Sequence, residues 1–274
     1  MLQLPVINEE ETITVVKSFI KTYVENAKIS SIVLGFSGGI DSAVTAVLCA
    51  EVLGKRNVHC IFLPDDVTPM SDRKDVKILI EKYDFSFEQR DIKEIVNVFK
   101  NKGKVNLDKL TEANIKARVR MIYLYMHANN SSSLVCGTSN KSELLIGYFT
   151  KYGDGGVDFM PLGDIYKTDI FKIAKYLDLP SDLILKPPSA GLWEGQTDEK
   201  ELKLQYKQLD RILWGLEQKM EYDKIGSLCN VSIDEVKRIV MMRKKSQHKR
   251  RSALIPKIGL RTPGLDWRSP IQEG

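Results

Sequence analysis

One stretch of the chain decides its fold: Ser31-Ile-Val-Leu-Gly-Phe-Ser-Gly-Gly-Ile-Asp-Ser42. A short apolar run leads directly into a Ser-Gly-Gly turn, and an apolar segment from Ala43 to Leu53 follows that Gly54 can end as a helix. Glycines in such a turn let backbone N–H groups approach an anion, and the start of the helix directs its positive end at the same point. The stretch therefore predicts a strand, a phosphate-binding loop and a helix.

Strand and helix patterns alternate on both sides of this unit. An amphipathic helix over 12–25 precedes it, with one apolar stripe formed by Ile13, Val16, Phe19, Ile20, Tyr23 and Val24. The segments after it are a strand over 58–63, a helix over 72–83, a strand over 85–87, a helix over 107–127, a strand over 133–136, and helices near 141 and over 168–177. Since each parallel crossover needs a helix-length connection, we expect a Rossmann-like, three-layer α/β fold with a parallel sheet flanked by helices.

The C-terminal third has a different character. The pattern is helical from about 198 to 250, and Ser232-x-x-Glu235 is a capping box that opens the last helix. The tail over 254–274 contains Pro256, Pro263 and Pro270 and is expected to be irregular. No internal repeat or low-complexity linker interrupts the chain, so we expect one domain over 1–274.

Composition excludes several classes of protein. The 274 residues are 43% hydrophobic and 28% charged, which is typical of a globular chain. The four cysteines form no C-x-x-C pair and there are three histidines, so neither a zinc site nor a disulfide framework is indicated. The net charge of +5 is local, because the segment 243–251 holds six Lys and Arg residues and no acid. With no signal-peptide pattern and no apolar run of about 20 residues, we expect a cytoplasmic protein without a membrane or nucleic-acid partner.

The glycine loop itself narrows the chemistry. It is neither the G-x-x-x-x-G-K-[ST] loop nor the G-x-G-x-x-G dinucleotide fingerprint. It resembles the S-G-G-x-D-S pyrophosphate loop (PP-loop) of ATP pyrophosphatases, which cleave ATP between the α- and β-phosphates and have an adenine-nucleotide α-hydrolase-like fold. That resemblance implies that Asp41 holds a Mg²⁺ ion, which neutralises the departing pyrophosphate.

A second group of motifs indicates which family of that superfamily the chain resembles. Thr138-Ser-Asn-Lys-Ser-Glu143, the run from Gly147 to Asp158, and Pro161-Leu162 closely resemble the G-T-x-N-x-x-E…G-Y-x-T-K-x-G-D-x-x-x-D…P-L signature of NAD synthetases. The match continues in chain order through Arg118, Lys167, and the segments 187–193, 195–199 and 248–250. The chain departs from the pattern at Lys203, where related chains often have Gly, and at Tyr166.

The resemblance implies a ligase of NAD biosynthesis that uses ATP, Mg²⁺, deamido-NAD and ammonia and needs no covalent enzyme nucleophile. ATP contacts are then expected from Gly35, Phe36, Ser37, Gly38, Gly39, Ile40, Asp41, Ser42, Thr138, Lys167 and Ser189. Deamido-NAD contacts are expected from Arg118, Lys151, Asp158, His248 and Lys249, and Mg²⁺ ligands are Asp41 and Glu143. Related enzymes are homodimers, for which the first helix and the long helix from Leu107 are the candidate interface. Since a glutaminase domain would need about 200 further residues, we expect free ammonia as the nitrogen source.

Other interpretations of these residues remain open at this stage. Thr138 is also a candidate N-cap, Lys167 a routine charge at a helix start, and the basic run a solvated helix end. Another PP-loop enzyme such as a tRNA-modifying thiolase would share the glycine loop, but Cys49 and Cys60 occupy core-like positions. The segments 222–229 and 233–245 also resemble a helix-turn-helix of a DNA-binding regulator, with Val236, Met241 and Met242 expected to face outward.

Overall fold

A computed structural model describes residues 2–103, 105, 107–193 and 195–261. Four parallel strands form a sheet in the order β3-β2-β1-β4. Their bounds are β1 Ile32–Gly35, β2 Val58–Phe62, β3 Ser86–Gln89 and β4 Leu134–Cys136. In register, Ile32 of β1 lies opposite Val58 on one side and Leu134 on the other. The strand pattern predicted from the sequence is confirmed.

Twelve α-helices surround or extend this sheet in the described residues. They are α1 Glu9–Asn26, α2 Ile40–Leu53, α3 Met70–Tyr83, α4 Lys93–Lys102, α5 Lys109–Ser131, α6 Lys141–Ile146, α7 Lys167–Tyr176, α8 Ser181–Leu185, α9 Asp198–Leu202, α10 Tyr206–Glu217, α11 Tyr222–Cys229 and α12 Ile233–Lys245. Helix α4 has no counterpart in the sequence prediction; its Val96 is buried, whereas Ile95, Val98 and Phe99 are exposed. None of the described helices combines the length and apolar character needed to cross a membrane.

Two apolar layers lie on opposite faces of the sheet because side chains alternate along each strand. Ile32 and Leu34 point into a core shared with α1, α2, α3 and α7, whereas Val33 points into a core shared with α4 and α5. Four residues of the predicted stripe of α1 are buried, whereas Tyr23 is half-buried and Phe19 is 37% exposed. The three-layer α/β architecture is therefore confirmed.

A third core lies in the helical C-terminal part. Side chains of α6, α10, α11 and α12 pack together there, and Val236 and Ile239 are fully buried. The expectation that Val236 faces outward is wrong, because the apolar face of α12 covers this core rather than presenting itself to a partner. Ser232 accepts a hydrogen bond from the Glu235 N–H at 3.1 Å, as expected for an N-cap. Residues 252–258 have no regular structure, and 262–274 of the predicted irregular tail lie outside the described residues.

Candidate active site

The glycine loop between β1 and α2 has the form that the sequence predicts. Gly38 adopts φ +76°, and a Cβ atom there would lie 2.6 Å from the backbone oxygen of Asp72. Gly39 is the N-cap of α2 and supplies no side chain to satisfy the first N–H groups of that helix. The Ser42 hydroxyl donates to the Gly39 carbonyl at 2.9 Å, which holds the loop closed. The positive end of α2 is therefore left open to an anion.

Helix α6 positions the second carboxylate of the site. Its N-cap is Asn140, whose side chain accepts from the Glu143 N–H at 3.1 Å while the Glu143 carboxylate accepts from the Asn140 N–H at 3.4 Å. Thr138 lies before this capping box and lines the cavity, so its interpretation as the N-cap is wrong. Asn140 also donates through its Nδ2 to Asp41 at 3.1 Å. The cap thereby orients Glu143 and Asp41 toward each other.

Lys167 lies between these two carboxylates. Its ammonium forms a close ion pair with Asp41 and contacts Glu143 Oε1 at 3.3 Å, and its side chain is 3% exposed. Burial raises the pKa of Glu143 to about 8, although the nearby Lys167 charge lowers it. Burial by itself would lower the pKa of Lys167. The charges of the adjacent carboxylates, of which Asp41 has the larger effect, raise it more, so the pKa of Lys167 lies above its usual value. The expectation that Lys167 is a routine charge at a helix start is therefore wrong.

A network that the sequence analysis did not assign adjoins Glu143. Asp198, at the start of α9, accepts from the Tyr206 hydroxyl at 2.9 Å and from the Tyr148 hydroxyl at 3.2 Å. Tyr206 also reaches Glu143 Oε1 at 3.5 Å, and Tyr148 donates to Glu201 at 2.8 Å. Burial raises the pKa of Asp198. Tyr148 and Asp198 both lie in the motifs that resemble other sequences, and their place there is the signal by which sequence analysis could have assigned them to the site.

The predicted cations lie on the wall of the same cavity. Arg118 on α5, Lys151 and His248 line it. Lys249 also lines it, but its ammonium donates to the carbonyl oxygens of Gly147 at 2.7 Å and Phe149 at 2.6 Å. Burial lowers the pKa of Lys249. Lys249 therefore shapes the loop that carries Lys151.

Asp158 occupies a different place from the other predicted dinucleotide contacts. It is absent from the described residues that line the cavity and lies at the β4 edge of the sheet. Its carboxylate accepts from the Val135 N–H at 2.7 Å and from the Tyr125 hydroxyl at 3.0 Å, and its carbonyl accepts from Tyr23 at 2.9 Å. Within this chain Asp158 organises that edge, and its contact with deamido-NAD stays a prediction.

Ser189 begins a loop that covers part of the cavity. Its hydroxyl donates to the Gln196 carbonyl at 2.7 Å and accepts from the Gly191 N–H at 3.1 Å. The ammonium of Lys116 on α5, which is 3% exposed, donates to the Leu192 carbonyl at 3.1 Å. This loop is consequently anchored both to itself and to the wall.

The glycine loop, the two carboxylates, Lys167 and the predicted cations line one cavity of about 740 Å³, a size typical of small-molecule sites. Asp41 and Glu143 contact the same ammonium, so the two carboxylates are close enough to share one cation. Among the described residues, no group of three or more His, Cys, Asp or Glu side chains could hold a metal ion. Mg²⁺ is bound in proteins by one or two carboxylates together with water and phosphate oxygens, and a pair of adjacent carboxylates fits that ligand set.

Known proteins resemble this chain in sequence and in fold. A family model described as NAD synthase matches residues 12–253. The NH(3)-dependent NAD(+) synthetase of Archaeoglobus fulgidus is 43% identical over 244 residues, which are 89% of this chain and 95% of that protein. Two solved structures are similar: an NMN synthetase from Francisella tularensis, with TM-score 0.83 and 33% identity, and an NH3-dependent NAD synthetase from Campylobacter jejuni, with TM-score 0.78 and 30% identity. Each comparison covers 92% of this chain and 100% of the other.

Proposed function

The chain belongs to the NAD synthase family, and on that premise we propose that it converts deamido-NAD to NAD with ammonia and ATP, releasing AMP and pyrophosphate. The observation that carries the proposal is the single cavity. It joins a phosphate-binding loop and two carboxylates, Asp41 and Glu143, to a wall that carries Arg118, Lys151 and His248. An anionic nucleotide at the loop and an anionic dinucleotide at the wall would meet inside it.

The reaction would proceed in two displacements. The nicotinate carboxylate of deamido-NAD attacks the α-phosphorus of ATP, and pyrophosphate leaves to give an acyl-adenylate. Ammonia then attacks the acyl carbon, loses a proton and expels AMP to form the amide. The N–H groups at the start of α2 would bind the phosphates. With both substrates in place, closure of the cavity would keep water from the adenylate.

No enzyme nucleophile enters this scheme. All four cysteines are buried, and burial raises the pKa of the thiols of Cys60, Cys136 and Cys229. The cysteine chemistry that a tRNA thiolase would ordinarily need therefore has no support here. The buried apolar face of α12 likewise gives no support to the helix-turn-helix alternative.

The metal belongs to the proposal as well. Asp41 and Glu143 would hold Mg²⁺, which would neutralise charge on the phosphates and on the departing pyrophosphate. Lys167, buried between the same carboxylates, would supply a further positive charge to the phosphates.

We also propose a homodimer formed through α1 and α5. Tyr23 of α1 and Tyr125 of α5 both donate to Asp158, so the two helices meet at the β4 edge. Large apolar side chains of these two helices are exposed, namely Val15 and Phe19 on α1 and Ile122 and Met126 on α5. Such a patch is typical of an interface between subunits.

The test is an assay of purified protein with ATP, Mg²⁺ and deamido-NAD, supplied with ammonium or glutamine in turn. We expect NAD, AMP and pyrophosphate in equal amounts with ammonium. Because one structural neighbour is named an NMN synthetase, nicotinate mononucleotide is the alternative acid. We expect kcat/KM to favour the dinucleotide by about tenfold or more. A preference for the mononucleotide would overturn the choice of substrate.

A variant pair sharpens the assay. Arg118→Ala should raise KM for deamido-NAD about tenfold and leave ATP affinity within about twofold, since one charge-assisted contact is lost. Lys175→Ala on the exposed face of α7 removes a cation away from the cavity and should change neither value. Loss of ATP affinity in Arg118→Ala with unchanged deamido-NAD affinity would place the nucleotides the other way round.

A further inference from the structure

Lys167 occupies the position that the proposed metal would take. Its ammonium contacts both Asp41 and Glu143. Its backbone N–H donates to the Ser142 hydroxyl at 2.9 Å, which anchors the first residue of α7. The Lys167 ammonium lies 5.3 Å from the centre of the Tyr206 ring. The backbone of Lys167 is thus held in place, whereas its ammonium is carried by four methylene groups and can change position.

Electrostatics explains this position. Two adjacent carboxylates in a site with little water repel each other and need a positive charge between them. Their side chains are 18% and 15% exposed, so solvent gives little compensation. An ammonium and a divalent cation would satisfy the same oxygen atoms, and they cannot both lie between them. The two cations must therefore compete for the pair.

A nucleotide would change the outcome of this competition. Its triphosphate presents oxygen atoms to the loop next to Asp41, and a lysine ammonium on a flexible stem can turn from a carboxylate to a phosphate. We propose that Lys167 is a built-in substitute for the metal, which holds the carboxylate pair in the free enzyme and moves to the phosphates when a nucleotide arrives. Free divalent cations would then bind weakly, and the metal would load together with the nucleotide. This inference rests on the ATP site of the proposed function.

The direct test is a titration with Mn²⁺ in the absence of nucleotide. Electron paramagnetic resonance measures the concentration of free Mn²⁺ and hence the affinity. The wild type should bind Mn²⁺ weakly. Lys167→Met should bind it about tenfold more tightly or better, because the competing charge is gone. Lys141→Met is the matched control, since Lys141 also bridges two carboxylates, Asp164 at 3.1 Å and Glu217 at 2.9 Å, away from the cavity. It should bind Mn²⁺ as the wild type does.

Thermal unfolding gives a second readout on the same samples. Lys167→Met should melt earlier than the wild type in metal-free buffer and recover when Mn²⁺ is added, whereas the wild-type melting temperature should hardly respond to Mn²⁺ alone. Lys167→Gln is the milder variant. Should either variant be unfolded without metal, Mn²⁺ should restore its fold, and failure of Mn²⁺ to do so would overturn the proposal.

Nucleotide coupling completes the test. The ratio of ATP affinity with Mg²⁺ to ATP affinity with a chelator should be smaller in Lys167→Met than in the wild type, because the exchange of cations is lost. Equal Mn²⁺ affinity in the wild type and Lys167→Met, or an equal gain in Lys141→Met, would refute the substitute role. None of these three measurements uses deamido-NAD or turnover, so they are independent of the amidation assay. Failure of the wild type to bind ATP with Mg²⁺ would instead contradict the proposed function.

Discussion

Gly38 shows how one residue limits the shape of the phosphate loop. Its φ of +76° is strained for other residues, and an added Cβ would meet the Asp72 backbone. Gly38→Ala should cost about 1–3 kcal/mol of stability and lower ATP affinity about tenfold or more, because the loop must shift. Gly54 supplies the control, because its φ is +85° but a Cβ atom added there would meet nothing closer than Asn57 Nδ2 at 4.0 Å. Gly54→Ala should lose comparable stability and keep ATP affinity, as calorimetry and thermal melts would show.

The carboxylate pair is the next residue-scale feature. Asp41→Ala and Glu143→Ala should each abolish pyrophosphate release, because each removes a proposed Mg²⁺ ligand. Each should also cost about 1–3 kcal/mol, since Lys167 stays buried with one carboxylate partner instead of two. Glu217→Ala, which removes one partner of Lys141, should retain activity. Near-normal pyrophosphate release at saturating Mg²⁺ would reject the metal assignment.

At the scale of elements, Asp210 joins three helices beneath the site. From α10 its carboxylate accepts from Ser142 of α6 at 2.5 Å and from the Thr168 N–H of α7 at 2.9 Å. Burial raises the pKa of Asp210 to about 6, although these hydrogen bonds lower it. Ser142 in turn accepts from the Lys167 N–H. The position of Lys167 therefore depends on how α6, α7 and α10 pack.

This raised pKa predicts a pH dependence of stability. Because the folded pKa lies above the unfolded value of 3.8, the contribution of Asp210 is present at low pH and is lost as pH rises toward 6. From about pH 4 to 7, the unfolding free energy of the wild type should fall relative to Asp210→Asn by up to about 3 kcal/mol. Urea titrations measure this difference, with exposed Asp223→Asn as the control. Parallel pH profiles for the wild type and Asp210→Asn would contradict the prediction.

The loop over 189–196 is the second element-scale feature. We expect it and the loop over 148–158 to exchange amide hydrogens faster in the free enzyme than with both substrates bound, because they close over the adenylate. Lys116→Met should speed exchange near Leu192, because it removes the anchor to that carbonyl and leaves the buried Asp65 carboxylate without its closest cation, 2.9 Å away. Lys100→Met, which removes a surface ion pair of 2.8 Å with Glu112, should not. Equal protection of both loops with and without substrates would show that they are preformed.

At the scale of the whole molecule, the exposed patch of α1 and α5 predicts an assembly. Ile122→Asp should convert the proposed dimer to a monomer, because it buries an unpaired charge in the interface. Val98→Asp on α4 is the control, since both side chains are 53% exposed. Sedimentation velocity distinguishes the two states. An unchanged dimer in Ile122→Asp, or a wild-type monomer, would place the interface elsewhere or remove it.

Much of the fold was predictable because its signals are local. The alternation of strands and helices follows from short apolar runs and amphipathic stripes, and each predicted strand is present within a few residues. Helix α4 was missed although Ile92, Val96 and Phe99 have helical spacing and Ile92 and Val96 are buried against the sheet. The cytoplasmic location stays a prediction, since the described residues show just that no helix could span a membrane.

For the site, sequence alone determined which groups are present, and tertiary structure decided which of them meet. The loop over 37–42 is formed by residues adjacent in sequence and depends on the positive φ of Gly38, so its form could be predicted from the sequence. Lys167 lies 126 residues from Asp41 and 24 from Glu143, and no local pattern signals that its ammonium bridges both. Asp158 likewise turns to the β4 edge rather than to the cavity. Backbone conformation is set by near neighbours, whereas the neutralisation of buried charge depends on whatever the packed layers bring within a few ångströms.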